Sequence, residues 1–150
     1  MSGNIVFTID SNLFIYALDA RDATKHLLAD RLLKSLFQHR NPLPLQCLSE
    51  TYAVCARKKI ADLATVQSAI HDSQLMLNIV PASQEDLTTA IELYNNHHLQ
   101  FWDAMLLATA ARSGCTLFLS EDMQDNRTYD TLTVRNPFTL SSAHLTTLLA

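Results

Sequence analysis

Short apolar runs alternate along this chain with longer stretches in which apolar residues recur every three or four positions. Ile5 to Ile9 is apolar on both faces and rich in β-branched residues, which predicts a buried strand of a parallel sheet. Asn12 to Leu18 follows as a short helix. Asp22 or Thr24 caps a longer helix, whose stripe is Leu27, Leu28, Leu32, Leu33, Leu36 and Phe37. Pro42 and Pro44 end that segment. Leu43 to Leu48 is the second strand by its apolar character, and Ser49 then caps a helix running to Lys58 with Glu50 in its first turn. Ala61 to Leu75 is a helix with Asp62 as its cap, and Met76 to Val80 is a third strand. Ser83 and Asp86 form a capping box, with Asp in place of the usual Glu, for a helix through Asn95. Phe101 to Ser113 is an Ala-rich apolar helix stopped by Gly114. Thr116 to Leu119 is a fourth strand, Ser120 to Tyr129 a polar loop, Leu132 to Val134 a short edge strand, and Ser142 to Leu149 a terminal helix.

Strands that alternate with helices predict an α/β class with a mostly parallel sheet. Only two glycines occur, Gly3 and Gly114, and no stretch has linker or low-complexity composition. The 150 residues therefore predict a single domain over 1–150, long enough to bury its own core without a disulfide or structural zinc. Cys47, Cys55 and Cys115 are odd in number and form no CxxC. They read as small core residues in a reducing, cytoplasmic setting. The start, MSGNIVFTID, lacks the charged and apolar regions of a signal peptide, and no apolar run is long enough to span a membrane.

In open parallel sheets, ligands gather beyond the carboxyl ends of the strands. The acids at those ends are Asp10 after the first strand, Glu50 after the second, Asp103 in the Ala-rich helix, and Asp122 after the fourth, with Glu121 and Asp125 nearby. Three of the segments, IVFTID, FWDAMLLATAA and TLFLSED, are otherwise apolar and contain no Lys or Arg. A buried carboxylate is costly without a counter-charge. A hard divalent cation with oxygen ligands, Mg²⁺ or Mn²⁺, supplies one. Taken singly, Glu50 reads equally well as a helix-start charge and Asp10 as turn chemistry. Asp103 does not, since it follows Trp102 and leads an apolar run. Four acids arriving together at element ends are harder to assign to capping alone.

The segments IDSNLFIYALD, LSETYAV, FWDAMLLATAARSGC and LFLSEDMQD resemble, in order and over nearly the whole chain, the four signature blocks of PIN-domain nucleases. They are most similar to the VapC-type toxins of bacterial type II toxin–antitoxin pairs. The resemblance implies a PIN-like three-layer fold, a mostly parallel four- or five-stranded sheet flanked by helices. It also implies a metal-dependent ribonuclease, a hydrolase acting on RNA phosphodiester bonds. By position it makes Asp10, Glu50, Asp103 and Asp122 the catalytic acids. Asp10, Asp103 and Asp122 are then metal ligands, with Glu50 and Asp125 as further candidates. Asn12 and Ser120 are supporting residues. Asn126 stands where a Gly is frequent. An RNA substrate, a cognate antitoxin and a homodimer follow from the same resemblance.

Other readings compete. Aspartyl phosphatases of the haloacid-dehalogenase type need a second Asp where Asn12 stands. Response-regulator receivers need a late lysine, and none follows Lys59. A catalytically silent PIN-like module that binds RNA or protein remains the alternative to an enzyme. The net charge of -4 is unusual for a nucleic-acid binder, although eight of the eleven Lys and Arg lie at or before Lys59. Arg57, Lys58 and Lys59 read either as phosphate contacts or as a solvated helix end. Trp102 with Phe101 reads as a core anchor or as a stacking surface for a base. The six histidines read as surface or helix-end residues.

Overall fold

A computed structural model of the chain describes residues 5–150; the first four residues, part of the leader reading, lie outside it. Strand β1 (Phe7–Ile9) is buried throughout and leads into helix α1 (Ser11–Leu18). Helix α2 (Ala23–His39) is capped by Asp22, whose side chain accepts from the Lys25 backbone. Its inward face is Ala29, Leu32, Leu33 and Leu36, with Leu28 and Phe37 packed beside them. Leu27, expected in that stripe, is 62% exposed. It lies about 100° around the helix from Leu28, which continues the line to Leu32 and Leu36.

Strand β2 (Pro42–Pro44) is shorter than expected, and helix α3 (Leu45–Lys58) begins directly after Pro44. The predicted strand through Leu48 is therefore mostly helix. Ser49 is no cap: its hydroxyl donates to the Leu45 carbonyl one turn back. Glu50 sits in the second turn of α3, beyond the reach of the positive helix end. Helix α4 (Leu63–Met76) and strand β3 (Asn78–Val80) follow, although Asp62 makes no side-chain cap bond. Helix α5 (Gln84–His97) starts with the full capping box of Ser83 and Asp86. Helix α6 (Phe101–Arg112) is almost wholly buried from Ala104 to Ala110. Gly114 follows it at φ 91, a backbone conformation that suits glycine.

Strand β4 (Leu117–Leu119), the hairpin β5 (Arg127–Tyr129) and β6 (Leu132–Arg135), a 3₁₀ turn at Pro137–Thr139 and helix α7 (Ser142–Leu149) complete the chain. The main sheet has the order β1-β4-β6-β5, parallel except for β5. Two expectations change here. Residues 127–129 form a strand rather than loop, and β6 is interior while β5 takes the edge. β2 and β3 pair in parallel as a separate two-stranded sheet. The Asn41 amide donates to the Phe7 carbonyl at 3.0 Å and ties the entry of β2 to β1. The core joins Phe7, Ile9, Phe14, Leu36, Leu106 and Phe118, each at most 2% exposed. All three cysteines are free and buried, as expected.

Candidate active site

The neighbouring parallel strands β1 and β4 end side by side. The Asp10 backbone N–H extends their ladder by donating to the Leu119 carbonyl at 2.8 Å. The next residue on each strand is thereby delivered to the same sheet edge, Asp10 from β1 and Ser120 from β4. Asp10 also caps α1, so its capping role and its burial coexist. One carboxylate oxygen accepts from the Ser11 backbone at 2.7 Å, and the other accepts from the Ser120 hydroxyl at 2.8 Å. Neither donor carries a charge. With Asp10 only 5% exposed, burial pushes its carboxyl up to about 6. The two serine hydrogen bonds pull the other way, and the nearby charges of Glu50 and Asp122 add to the rise.

Glu50 reaches the same place from α3. It accepts from the Ser11 hydroxyl at 3.0 Å and from the Gln46 amide, one helical turn before it. The Gln46 amide also donates to the Trp102 carbonyl at 2.9 Å, which fastens α3 to the start of α6. Asp103 sits in the first turn of α6 without capping it. Gln100 does that, accepting from the Asp103 backbone at 3.0 Å. The Asp103 carboxylate is left half-buried, with no hydrogen-bond donor or cation on it among the described residues. Burial, then the charges of Asp10, Glu50 and Asp122, push it up to about 6. Asp122 is brought round by a turn in which the Ser120 hydroxyl accepts from the backbones of Asp122 and Met123.

All four acids line one cleft of about 570 Å³, together with Ser11, Gln46, Arg57, Gln100 and Trp102. The described ion pairs elsewhere give the contrast. Asp86 is as buried as Asp10, but the Arg112 guanidinium lies 2.8 Å away. Burial opposes the Asp86 charge, yet Arg112, Ser83 and Thr109 hold its carboxyl below the usual range. Glu121 is paired with Lys25 at 2.7 Å and with the Tyr16 hydroxyl, and Asp125 with Arg135 at 3.1 Å. The four cleft acids have no such partner within 4.0 Å among the described residues. Arg57 lines the cleft without pairing to any of them.

The sequence-derived candidates separate accordingly. Asp10, Glu50, Asp103 and Asp122 come together. Asp125 does not line the cleft; it accepts from Arg135, the Asn136 backbone and the Thr139 hydroxyl, and so holds the following loop in place. Asn126 adopts φ 61, a left-handed conformation that asparagine tolerates in place of glycine. Ser120 supports Asp10 directly. Asn12 does not: its amide reaches only Ser120, at 3.5 Å, and its carbonyl oxygen is buried without a partner. Ser11, which lies between Asp10 and Glu50, takes that supporting position. Its signal was its place directly after the acid, where a capping carboxylate meets the next N–H. Gln46, also unanticipated, is identifiable only once residues 45–48 are known to be helical. Of the basic triplet, Arg57 alone reaches the cleft. Trp102 is 56% exposed at the cleft wall and so is not a core anchor.

The donor set suits a hard cation. It offers carboxylate oxygens and lacks a neutralising side chain, and the burial and mutual repulsion that push Asp10 and Asp103 up to about 6 are what a bound cation would relieve. No three acidic, His or Cys donors among the described residues stand as a ready-made cage. Mg²⁺ binds characteristically through one or two carboxylates while keeping several waters, and needs no such cage.

No curated protein sequence matches the chain significantly. Solved structures do resemble it. VapC20 of Mycobacterium tuberculosis, a sarcin–ricin-loop-cleaving toxin, superposes with a TM-score of 0.60 at 20% identity, covering 77% of this chain and 91% of that one. A toxin–antitoxin complex from Klebsiella pneumoniae gives 0.62 at 18% identity, with 89% and 98% covered. VapBC2 of Rickettsia felis, bound to a DNA fragment from its promoter, gives 0.64 at 14% identity, with 88% and 98% covered. At these identities the likeness is one of fold. The sequence profile of the PIN domain matches residues 7–129, which span both β1 and the carboxylates of the cleft, and the chain therefore belongs to the PIN-domain family.

Proposed function

We propose that this protein is a Mg²⁺- or Mn²⁺-dependent ribonuclease, acting as one domain, and the toxin of a type II toxin–antitoxin pair. The observation that carries the reading is the convergence of Asp10, Glu50, Asp103 and Asp122 on one cleft without a paired cation. Membership of the PIN family supports a nuclease. The resemblance to a toxin that cleaves the sarcin–ricin loop supports RNA as the substrate. The toxin–antitoxin complexes among the structural neighbours support a protein partner.

Asp10, Asp103 and Asp122, with Glu50 as a further candidate, are the acids from which the metal's one or two direct carboxylate ligands would come. A divalent cation held there supplies positive charge to the phosphate and leaving oxygen and makes water a better nucleophile. The chain's own groups fit hydrolysis by water. The Ser11 and Ser120 hydroxyls are committed to carboxylates, and Cys47 is fully buried with its thiol pushed well up by that burial, so none serves as a covalent nucleophile. Arg57, free of any acid in the cleft, is placed to contact a phosphate oxygen. Leu87, Ile91 and Tyr94 form an exposed stripe at helical spacing on α5, a face that suits an antitoxin segment or a second copy of the chain. No described helix is long and apolar enough to cross a membrane.

Induced expression in a bacterium tests the biological half of the reading. Wild-type protein is expected to arrest growth and deplete full-length RNA, while Asp10→Asn, produced at the same soluble level, leaves growth intact. Normal growth with abundant soluble wild-type protein would instead favour a catalytically silent binding module.

A further inference from the structure

Trp102 is over half exposed, yet its position is closely fixed. Its carbonyl is held by Gln46, and its ring meets Phe101 edge-on at 5.2 Å between centroids and 73° between planes. Phe101 in turn packs against the buried cluster of Ala90, Ala104, Met105 and Ala108. An exposed tryptophan forgoes much of the stabilisation that burial gives so large a side chain, so the fold alone does not account for its place.

Two cavities share this residue. On one side is the carboxylate cleft. On the other is a hollow of about 260 Å³, bounded by Pro44, Leu45, Val80, Ala82 and Met105 and mainly apolar in its walls. A cavity of roughly 150 Å³ accommodates a benzene ring, so this one has room for a heterocyclic base. We propose that the hollow receives an unpaired nucleobase stacked on Trp102, next to the phosphate cleaved in the carboxylate cleft. This inference rests on the ribonuclease reading and deepens it: the substrate is single-stranded or looped RNA with a base free to leave its stack. A base inside a duplex is not available to the indole. RNA is favoured over a protein side chain because the hollow adjoins the acids that would hold a cation against a phosphate, with Arg57 lining that same cleft.

Trp102 is the only tryptophan in the chain, so its fluorescence reports on this position alone. The test uses full-length protein with Ca²⁺ in place of Mg²⁺. Fluorescence is followed while a dye-labelled oligonucleotide reports binding by anisotropy. Three probes are compared: single-stranded RNA, a duplex of the same sequence, and an abasic ribose-phosphate oligomer of equal length. Stacking predicts quenching by single-stranded RNA and none by the abasic oligomer or the duplex. Trp102→Ala is expected to weaken single-strand binding roughly fivefold to a hundredfold, with Trp102→Phe retaining most of it. Because the ring is exposed, both variants are expected to keep the wild-type circular dichroism spectrum. RNA that binds without quenching, or equal quenching by the abasic oligomer, overturns the proposal and leaves the hollow to a protein partner's side chain. Failure of every RNA to bind removes the ribonuclease reading itself, and this proposal with it.

Discussion

A buried aspartate behaves according to what stands opposite it, and this chain contains both cases. Asp86 faces Arg112 and is held below the usual range; Asp10 faces two serines and other acids and is pushed up to about 6. The sign of the consequence for stability is fixed. An unfolded aspartate titrates near ~3.9, so the fold favours the protonated form of Asp10. Its contribution to stability is complete below about pH 4 and is lost as the pH rises through about 6. Asp103 acts in the same direction. Metal-free protein carrying Asp10→Asn should therefore be more stable than wild type at pH 7.5, by about 1–3 kcal/mol, and the gap should close by pH 4. Urea midpoints of the two proteins across that range check this, and a wild type that is the more stable at pH 7.5 would contradict it. Asp10 and Asp103 could be singled out from sequence because their neighbours are apolar. Ser11 offered only its place directly after an acid, and Gln46 offered no signal, because a polar residue in an exposed-looking position carries no such tension.

At the scale of elements, the long helices and the strands β1, β3, β4 and β6 were legible, while the extent of β2 and the existence of β5 were not. Phe101 to Arg112 announces itself by its alanines and by Gly114 after it. The Leu45 to Leu48 run, preceded by Pro44, has no period that separates strand from helix. Only the structure shows that α3 begins there and carries Gln46 to the cleft. β5 is three residues of mixed polarity whose pairing with β6 is a tertiary fact. The junction of α5 and α6 rests on Asp86, which joins its own capping box to Thr109 at 2.9 Å and Arg112 at 2.8 Å. Arg112→Ala leaves that carboxylate buried without its cation. A loss of about 2–3 kcal/mol is expected from the urea midpoint, and a loss below about 0.5 kcal/mol would show that the pair is not structural.

Across the whole molecule, four acids far apart in sequence reach one cleft: the ends of the paired strands β1 and β4 bring Asp10 and the turn of Asp122 to a common edge, and the early turns of α3 and α6 bring Glu50 and Asp103 to it. Net charge was a poor guide: the overall -4 conceals a cleft where acids cluster and one arginine stands free. Glu50 was marked locally only by its place after the second predicted strand and rested chiefly on the resemblance to PIN nucleases, while the burial of Asp10 and Asp103 gives the cluster its physical cause. Cleavage of total RNA by purified protein, with Mg²⁺, with EDTA, and by Asp103→Asn with Mg²⁺, tests the metal-site reading most directly. Cleavage by the wild type with Mg²⁺, abolished by EDTA and reduced at least a hundredfold in Asp103→Asn, is the predicted result. Equal cleavage in all three would contradict it.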